Sequence, residues 1–354
     1  MNRLRASRSI VLMLLLYIVS LAIQFLAPSE PTVEPQFFAA TWYNLYFTNP
    51  EGASASTLRG GPDAKLAVAM DAAAESIDVA AQEIDLWSIR DALIGAHERG
   101  LVVRVVTESD YVSNPEMQAL ALAGIPLRED ERPPLMHNKF VVIDGQEVWT
   151  GSMNLTVNGA YRNNNNLLRV ESATLAQQYT EEFEEMFIED RFGALSWPDV
   201  PQSTFEAGGT QIEALFSPDM RVGDRITALL QGAEKTIHVM AFNLTLDSIA
   251  DTILRRAGEG IEVQGLFDAD QSRNQGSDVA RLEEFGLDIM FDGNPRKMHH
   301  KVIIVDGSIV ITGSYNFSRN AEEKNDENVL ILYSPELAEQ YLIEFSRLRE
   351  IGTH

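Results

Sequence analysis

The 354 residues are 45% hydrophobic and 23% charged, the make-up of a globular protein, which excludes disorder as the main state. Against 52 acidic side chains stand 28 basic ones, a net charge of −24, so the molecule repels polyanions as a whole and any phosphate it binds needs a local site. It has no Cys, which removes disulfide scaffolds, Cys-ligated metal clusters and thiol nucleophiles but fixes no compartment.

The first predicted element is an N-terminal hydrophobic helix within residues 1–27. Arg3, Arg5 and Arg8 precede an apolar run from Ile10 to Ala27, and Pro28, Glu30, Pro31, Glu34 and Pro35 then mark a spacer over 28–40. A basic flank on one side of a terminal apolar run reads as a signal anchor, or as a signal peptide cleaved after Ser20-Leu21-Ala22. The positive-inside rule then leaves the rest of the chain membrane-anchored and facing outward, or secreted or periplasmic after cleavage.

Beyond the spacer the chain is one unit written twice. Met136-His137-Asn138-Lys139, Asp144-Gly145 and Gly151-Ser152-Met153-Asn154 return as Met298-His299-His300-Lys301, Asp306-Gly307 and Gly313-Ser314-Tyr315-Asn316, each shifted by 162. Upstream, Ile77 to Ala81 answers Ile237 to Ala241 at an offset of 160. The expected domains are a first half over 41–192, a linker over 193–210 signalled by Pro198, Pro201 and Gly208-Gly209, and a second half over 211–354.

Each half reads as a helix (62–75; 221–233), a buried strand, a helix (86–99; 246–258), a strand (101–107; 261–267), a hairpin carrying the motif, and a closing helix. That alternation predicts an α/β fold: two duplicated α/β sandwich halves with mixed sheets, packed as a pseudo-two-fold dimer. The acidic stretch Glu171 to Asp190 has Leu175, Tyr179, Phe183, Met186 and Phe187 at helical spacing and reads as a solvated helix packed by one face. The aromatic cluster Trp42, Tyr43, Tyr46 and Phe47 reads as core, with a substrate-contacting lip as the alternative.

Both halves satisfy H-x-K-x4-D-G-x5-G-S-x-N, and a second match at the equivalent place removes chance as the explanation. In an extended strand residues two apart share a face, so His137 pairs with Lys139 and His299 with Lys301, while His300 points the other way. Ser152 with Asn154, and Ser314 with Asn316, repeat the spacing, and the preceding Gly permits close approach of backbone and ligand. His97, His238 and His354 lie outside the motif and read as structural.

This doubled motif resembles the signature of the phospholipase D superfamily, in wording closest to the bacterial nuclease and mitochondrial cardiolipin hydrolase branch. The resemblance covers roughly residues 41–350. Members of that branch carry one motif per chain and dimerise; here one chain holds both, so a monomer is expected to suffice. The resemblance also implies a carboxylate hydrogen-bonded to a catalytic His. Glu327, 28 residues after His299, stands at that place, and the first half has Asn165 there. In two-motif relatives the N-terminal His is the nucleophile, which implies His137 as attacker and His299 as acid.

Two imidazoles, two ammonium groups and two amides around one centre suit attack on a phosphodiester. One neutral imidazole forms a phosphohistidine, the other protonates the departing oxygen, and water reverses the step. Lys139, Lys301, Asn154 and Asn316 would stabilise the extra negative charge. A Lys beside each His repels a metal, so neither metal nor cofactor is expected. Asp144 and Asp306, at the strand ends, read as supporting residues or as turn caps, and Ser152 and Ser314 as substrate-binding.

These readings converge on a metal-independent phosphodiesterase acting on a phospholipid head group. The alternative is an extracytoplasmic endonuclease using the same chemistry, its strand held by Lys139, Lys301, Arg162, Arg296, Lys297 and Arg319. A dead binding module would need a broken motif, and both are intact.

Overall fold

The computed structural model describes residues 37–196 and 204–353; the apolar run Ile10 to Ala27 and His354 lie outside them. Among the described residues no helix is long and apolar enough to cross a membrane.

Two eight-stranded mixed sheets carry the fold. The first contains β1 (Phe37–Ala39), β2 (Tyr43–Phe47), β3 (Ser76–Ala81), β4 (Val102–Glu108), β5 (Leu127–Asp130), β6 (Lys139–Ile143), β7 (Glu147–Gly151) and β8 (Asn166–Glu171), in the order β1-β2-β8-β7-β6-β3-β4-β5. The second contains β9 (Thr204–Ala207), β10 (Thr210–Ser217), β11 (Thr236–Ala241), β12 (Glu262–Phe267), β13 (Asp288–Phe291), β14 (Lys301–Val305), β15 (Ile309–Gly313) and β16 (Glu327–Tyr333). Its order, β13-β12-β11-β14-β15-β16-β10-β9, is that of the first sheet read from the other end. In both, three parallel strands joined through helices sit beside antiparallel hairpins.

The expected helices form as Pro62–Ala72, Trp87–Glu98, Val222–Gln231 and Asp247–Gly258. Gly208-Gly209, expected in a linker, takes positive φ at both glycines and makes the turn of the β9–β10 hairpin. Trp42 to Phe47 is core after all. Tyr43 and Phe47 face inward from β2, and Tyr46 stacks on Trp149 with ring centroids 5.9 Å apart.

Three hydrophobic clusters hold the layers together. Leu66, Ile89, Leu93 and Val105 lie under the helices of the first half, and Ile226, Ile249, Ile253 and Phe267 under those of the second. The third is shared: Phe140, Tyr179 and Phe183 pack with Phe216, Tyr341 and Phe345. Each large side chain buried there stabilises the joined halves by about 1.5–3 kcal/mol.

The helices Ala173–Phe187 and Pro335–Ile351 supply this shared core, each started by a Ser whose hydroxyl accepts an N–H of the first turn. The first is packed by one face as expected, with Thr174, Gln177 and Glu181 exposed on the other. Leu175, Tyr179, Phe183 and Met186 are buried as their spacing predicts, but Glu182 lies 7% exposed among them.

Candidate active site

Each H-x-K segment enters the seam between the halves by pairing with the other half. Met136 forms a parallel bridge with Asp326, and Met298 with Asn164. The His137 N–H donates to the Asp326 carbonyl and the His299 N–H to the Asn164 carbonyl, both at 2.9 Å. Buried carboxylates fix the preceding residue: Glu108 accepts from the Met136 N–H at 2.8 Å, and Asp268 from the Met298 N–H at 3.1 Å. Glu108 and Asp268 are themselves 160 apart, a signal the repeat carried and motif reading missed.

Strand geometry then turns His137 and Lys139 one way and Asn138 the other. Lys139 Nζ donates to the His137 carbonyl and Lys301 Nζ to the His299 carbonyl, each at 2.8 Å. The opposite-facing Asn138 and His300 join a polar network in the seam. Asn328 donates to Asn138 and accepts from Thr150, while Asn166 donates to Thr312 and Tyr341. His300 is fully buried, with Glu344 at 3.7 Å, as its parity requires.

The two histidines are held from across the seam by different groups. His137 Nδ1 lies 2.7 Å from Glu327 Oε2, which also accepts from the Ser314 hydroxyl at 2.7 Å. His299 Nδ1 lies 3.0 Å from Asn165 Oδ1 and 3.1 Å from the Ser152 carbonyl, and the Ser152 hydroxyl donates to Asn165 Oδ1 at 2.8 Å. Glu327 therefore contacts the His of the other half, and so does Asn165. With Nδ1 engaged in both rings, Nε2 is the nitrogen left for a ligand.

Ser152 and Ser314 are fully buried and committed to Asn165 and Glu327, so their hydroxyls support the orienting groups rather than reach a substrate. The glycine before each Ser is required by backbone: Gly151 and Gly313 have φ of 141° and 151°, and a Cβ would meet the Asn166 or Asn328 carbonyl oxygen at 2.5 or 2.1 Å. The close approach expected there is thus to a neighbouring strand and not to a ligand. Asn154 and Asn316 are half-buried, and the Oδ1 of each has no partner among the described residues.

Asp144 and Asp306 do not cap their own turns: each carboxylate accepts from the segment that leads into β3 or β11. Burial alone would raise the Asp144 carboxyl, but N–H donors of Ala74, Glu75 and Ser76 hold it below the usual range; Glu234, Lys235 and Thr236 do the same for Asp306.

Burial dominates the electrostatics of the site. It lowers His137, with Glu327 opposing and Lys139 and Lys301 reinforcing. His299 is held well below its ordinary value by burial, then by Lys301, Lys139 and His137. Lys139 is pushed down to about 7 by burial against the pull of Glu327, and Lys301 falls well below its usual range through burial and the Lys139 charge. The four groups feel one another because the halves bring them to one place. Phe242, not anticipated from the motif, walls the second half: its ring lies 4.9 Å from that of His299, with Lys301 Nζ 5.1 Å from its centroid. The repeat puts Gln82 at the matching position.

One trio of carboxylates, Glu182, Glu185 and Asp219, has oxygens within 4.8 Å of one another. It lies beside Asn138, which donates to Glu182 at 3.3 Å, on the face turned away from the histidines.

A family model described as cardiolipin synthase, PLD-like domain, matches twice, over residues 66–187 and 226–349. The chain belongs to this phospholipase D-like family. A mitochondrial cardiolipin hydrolase of Chlamydomonas reinhardtii is 34% identical over 124 residues, covering 35% of this chain and 56% of its own. This chain thus spans little more than half the length of that relative. A phospholipase D of Rickettsia typhi is 31% identical over 150 residues, covering 42% of this chain and 74% of its own. Over both halves the fold matches phosphatidylserine synthase of Haemophilus influenzae, with a TM-score of 0.66 at 14% identity, covering 90% of this chain and 89% of that one.

Proposed function

We propose that this phospholipase D-like chain is a metal-independent phosphodiesterase that hydrolyses a phospholipid head-group phosphodiester through a phosphohistidine on His137. The observation that carries the reading is the unequal support of the two rings: a carboxylate on His137 Nδ1, an amide oxygen and a carbonyl on His299 Nδ1. As Nε2 of His137 bonds to phosphorus the ring gains positive charge, which Glu327 stabilises. His299, with neutral acceptors and two lysines nearby, gives up a proton more readily and is the better acid once the substrate's phosphate has drawn one onto its Nε2.

The bond to the alcohol oxygen then breaks as that oxygen takes the His299 proton. Water next loses a proton to His299, attacks phosphorus and displaces His137, leaving an alcohol and a phosphomonoester. Lys139, Lys301 and the amides of Asn154 and Asn316 face the developing charge, while Ser152, Ser314, Asn165 and Glu327 position the rings. Both half-sites stand in one chain, so a monomer suffices. The relatives named for cardiolipin hydrolysis and phospholipase D action favour a lipid, and the net charge of −24 disfavours long nucleic acid. In this reading the Ile10 to Ala27 run places the enzyme at a membrane or directs its export.

The test uses bis-p-nitrophenyl phosphate, phosphatidylcholine, cardiolipin and single-stranded DNA in excess chelator. Nitrophenolate leaves without an acid, so His299→Asn should release one equivalent in a burst and then stall with a nitrophenylphosphoryl group on His137, detectable by mass spectrometry of the quenched protein. Steady turnover by that variant, loss of wild-type activity in chelator, or cleavage of DNA alone would each overturn the corresponding part of the reading.

A further inference from the structure

The two half-sites differ in what stands beside their lysines. Phe242 directly follows β11, whose last residue, Ala241, pairs with Lys301 at the start of β14, and the Phe242 N–H donates to the His300 carbonyl at 2.9 Å. These backbone contacts set the ring beside the second motif. It lies edge-to-face with the His299 imidazole at 4.9 Å, and Lys301 Nζ stands over it, 5.1 Å from the centroid. In the first half Ala81 pairs with Lys139 in the same way, but the residue that follows is Gln82, which has no aromatic face.

An ammonium within about 6 Å of an aromatic centroid is attracted by the negative face of the ring, most strongly where water is excluded. Lys301 meets both conditions, being 2% exposed. It also lacks what holds Lys139. Glu327 is the group that opposes the effect of burial on Lys139, whereas at Lys301 the repulsion of Lys139 exceeds the attraction of Glu327 or of Asp268. Glu327 is bonded to His137 and Ser314, and Asp268 to the Met298 N–H, so both carboxylates serve other groups. The Lys301 ammonium donates to a neutral acceptor, the His299 carbonyl, at 2.8 Å.

We propose that Phe242 is a positioning residue: its ring face keeps Lys301 an ammonium beside His299, where the second half has no carboxylate of its own for the task. Phe242 acts through Lys301, which opposes the negative charge developing on phosphorus. Its consequence for turnover therefore rests on the phosphodiesterase reading above, while its effect on the Lys301 charge does not. The titratable groups that bear on this ammonium are His299 on its own segment, His137 and Lys139 from the first half, Glu327 on β16 and Asp268 just after β12.

The test weakens the ring face while keeping its shape. In the full chain Phe242 is replaced by mono-, di- and trifluorinated phenylalanine, and Lys301 is followed by NMR of carbon-13-labelled lysine, its resonance assigned by its loss in Lys301→Arg. The Lys301 midpoint should fall stepwise along the series, by about one pH unit in all, a change of about tenfold in the ratio of ammonium to amine. Lys139 should hold or rise, because a neutral neighbour repels it less. A Lys301 midpoint that stays fixed along the series overturns the proposal. So does a rise of both lysines towards their ordinary values, the mark of water entering a loosened site. On bis-p-nitrophenyl phosphate the alkaline limb of the kcat/KM profile should move to lower pH in the same order, at unchanged melting temperature. A midpoint that follows the series while the limb stays in place overturns the positioning role. Midpoints that follow the series in a protein that cleaves no diester keep the Phe242–Lys301 contact and overturn the phosphodiesterase reading.

Discussion

Replacing Glu327 by Gln removes one charge from a fully buried position and keeps an oxygen able to accept the His137 Nδ1–H. In the resting site His137 is neutral, so the change costs little before reaction. As phosphorus bonds to Nε2 the ring becomes cationic, with its charge spread around the imidazole at a mean separation of about 4 Å from the carboxylate. At an effective dielectric of about 20 such a pair interacts by about 4 kcal/mol. A hydrogen bond to a charged partner, worth about 1.5–3 kcal/mol against about 1 for a neutral one, points to the same size. A loss of about 3–4 kcal/mol is a fall of about 10²–10³ in rate. Because the interaction strengthens only on the way to the transition state, kcat and kcat/KM should fall together while KM changes little. The measurement is steady-state hydrolysis of bis-p-nitrophenyl phosphate by wild type and variant, with melts to show that the Ser314–Glu327 pair has been replaced without unfolding. A variant within threefold of wild type would refute the argument that Glu327 stabilises a cationic His137.

Three further outcomes follow from the charges around the site. His137 must be neutral to attack and His299 protonated to donate, and burial holds both below their ordinary values, so kcat/KM of the free enzyme should peak on the acid side of neutrality and decline further as Lys139 loses its charge through about 7. Asn165→Asp puts a carboxylate on His299 Nδ1 and should move the alkaline limb of the kcat/KM profile to higher pH; an unmoved limb counts against His299 as the acid. Glu108, which holds the Met136 N–H, is pushed up to about 7 by burial and then by Asp130. A carboxyl raised in the folded state keeps a proton that the unfolded chain releases above about 4.3, so its contribution is full below that and is lost as pH rises through about 7. Glu108→Gln keeps the acceptor without the charge, and its melting temperature should gain on wild type between pH 5 and pH 8; a pH-independent difference would show that Glu108 does not titrate in that window.

Much of this was legible in the sequence because repetition is a global signal. The offset of 162 reproduced whole elements, and strand parity separated His299 from His300 before any contact was known. What stayed hidden depends on how the halves meet. Nothing in a 28-residue spacing says that Glu327 reaches across to His137, since a carboxylate near the start of β16 could face either ring. The Ser hydroxyls are hidden for the same reason: a Ser two residues before an Asn looks open to a ligand until Asn165 and Glu327 are placed on it. Gly208-Gly209 carries the composition of a linker and of a hairpin turn alike, and only the pairing of β9 with β10 decides between them.

Duplication within one chain matters for the chemistry in a way that a homodimer cannot match. In a homodimer every residue appears twice, so two identical histidines become attacker and acid only through the substrate's own asymmetry. Here the halves have drifted apart around the pair: Glu327 against Asn165 on the rings, Phe242 beside His299 against Gln82, and Asp326 against Asn164 at the bridging backbone. The first difference biases which ring carries positive charge. The carboxylate-supported His137 and the amide-supported His299 are thereby unequal before any substrate binds. Fixing the roles of attacker and acid in the protein lets each ring be held in the protonation state its task needs, a gain open to a fused pair and closed to a symmetric one.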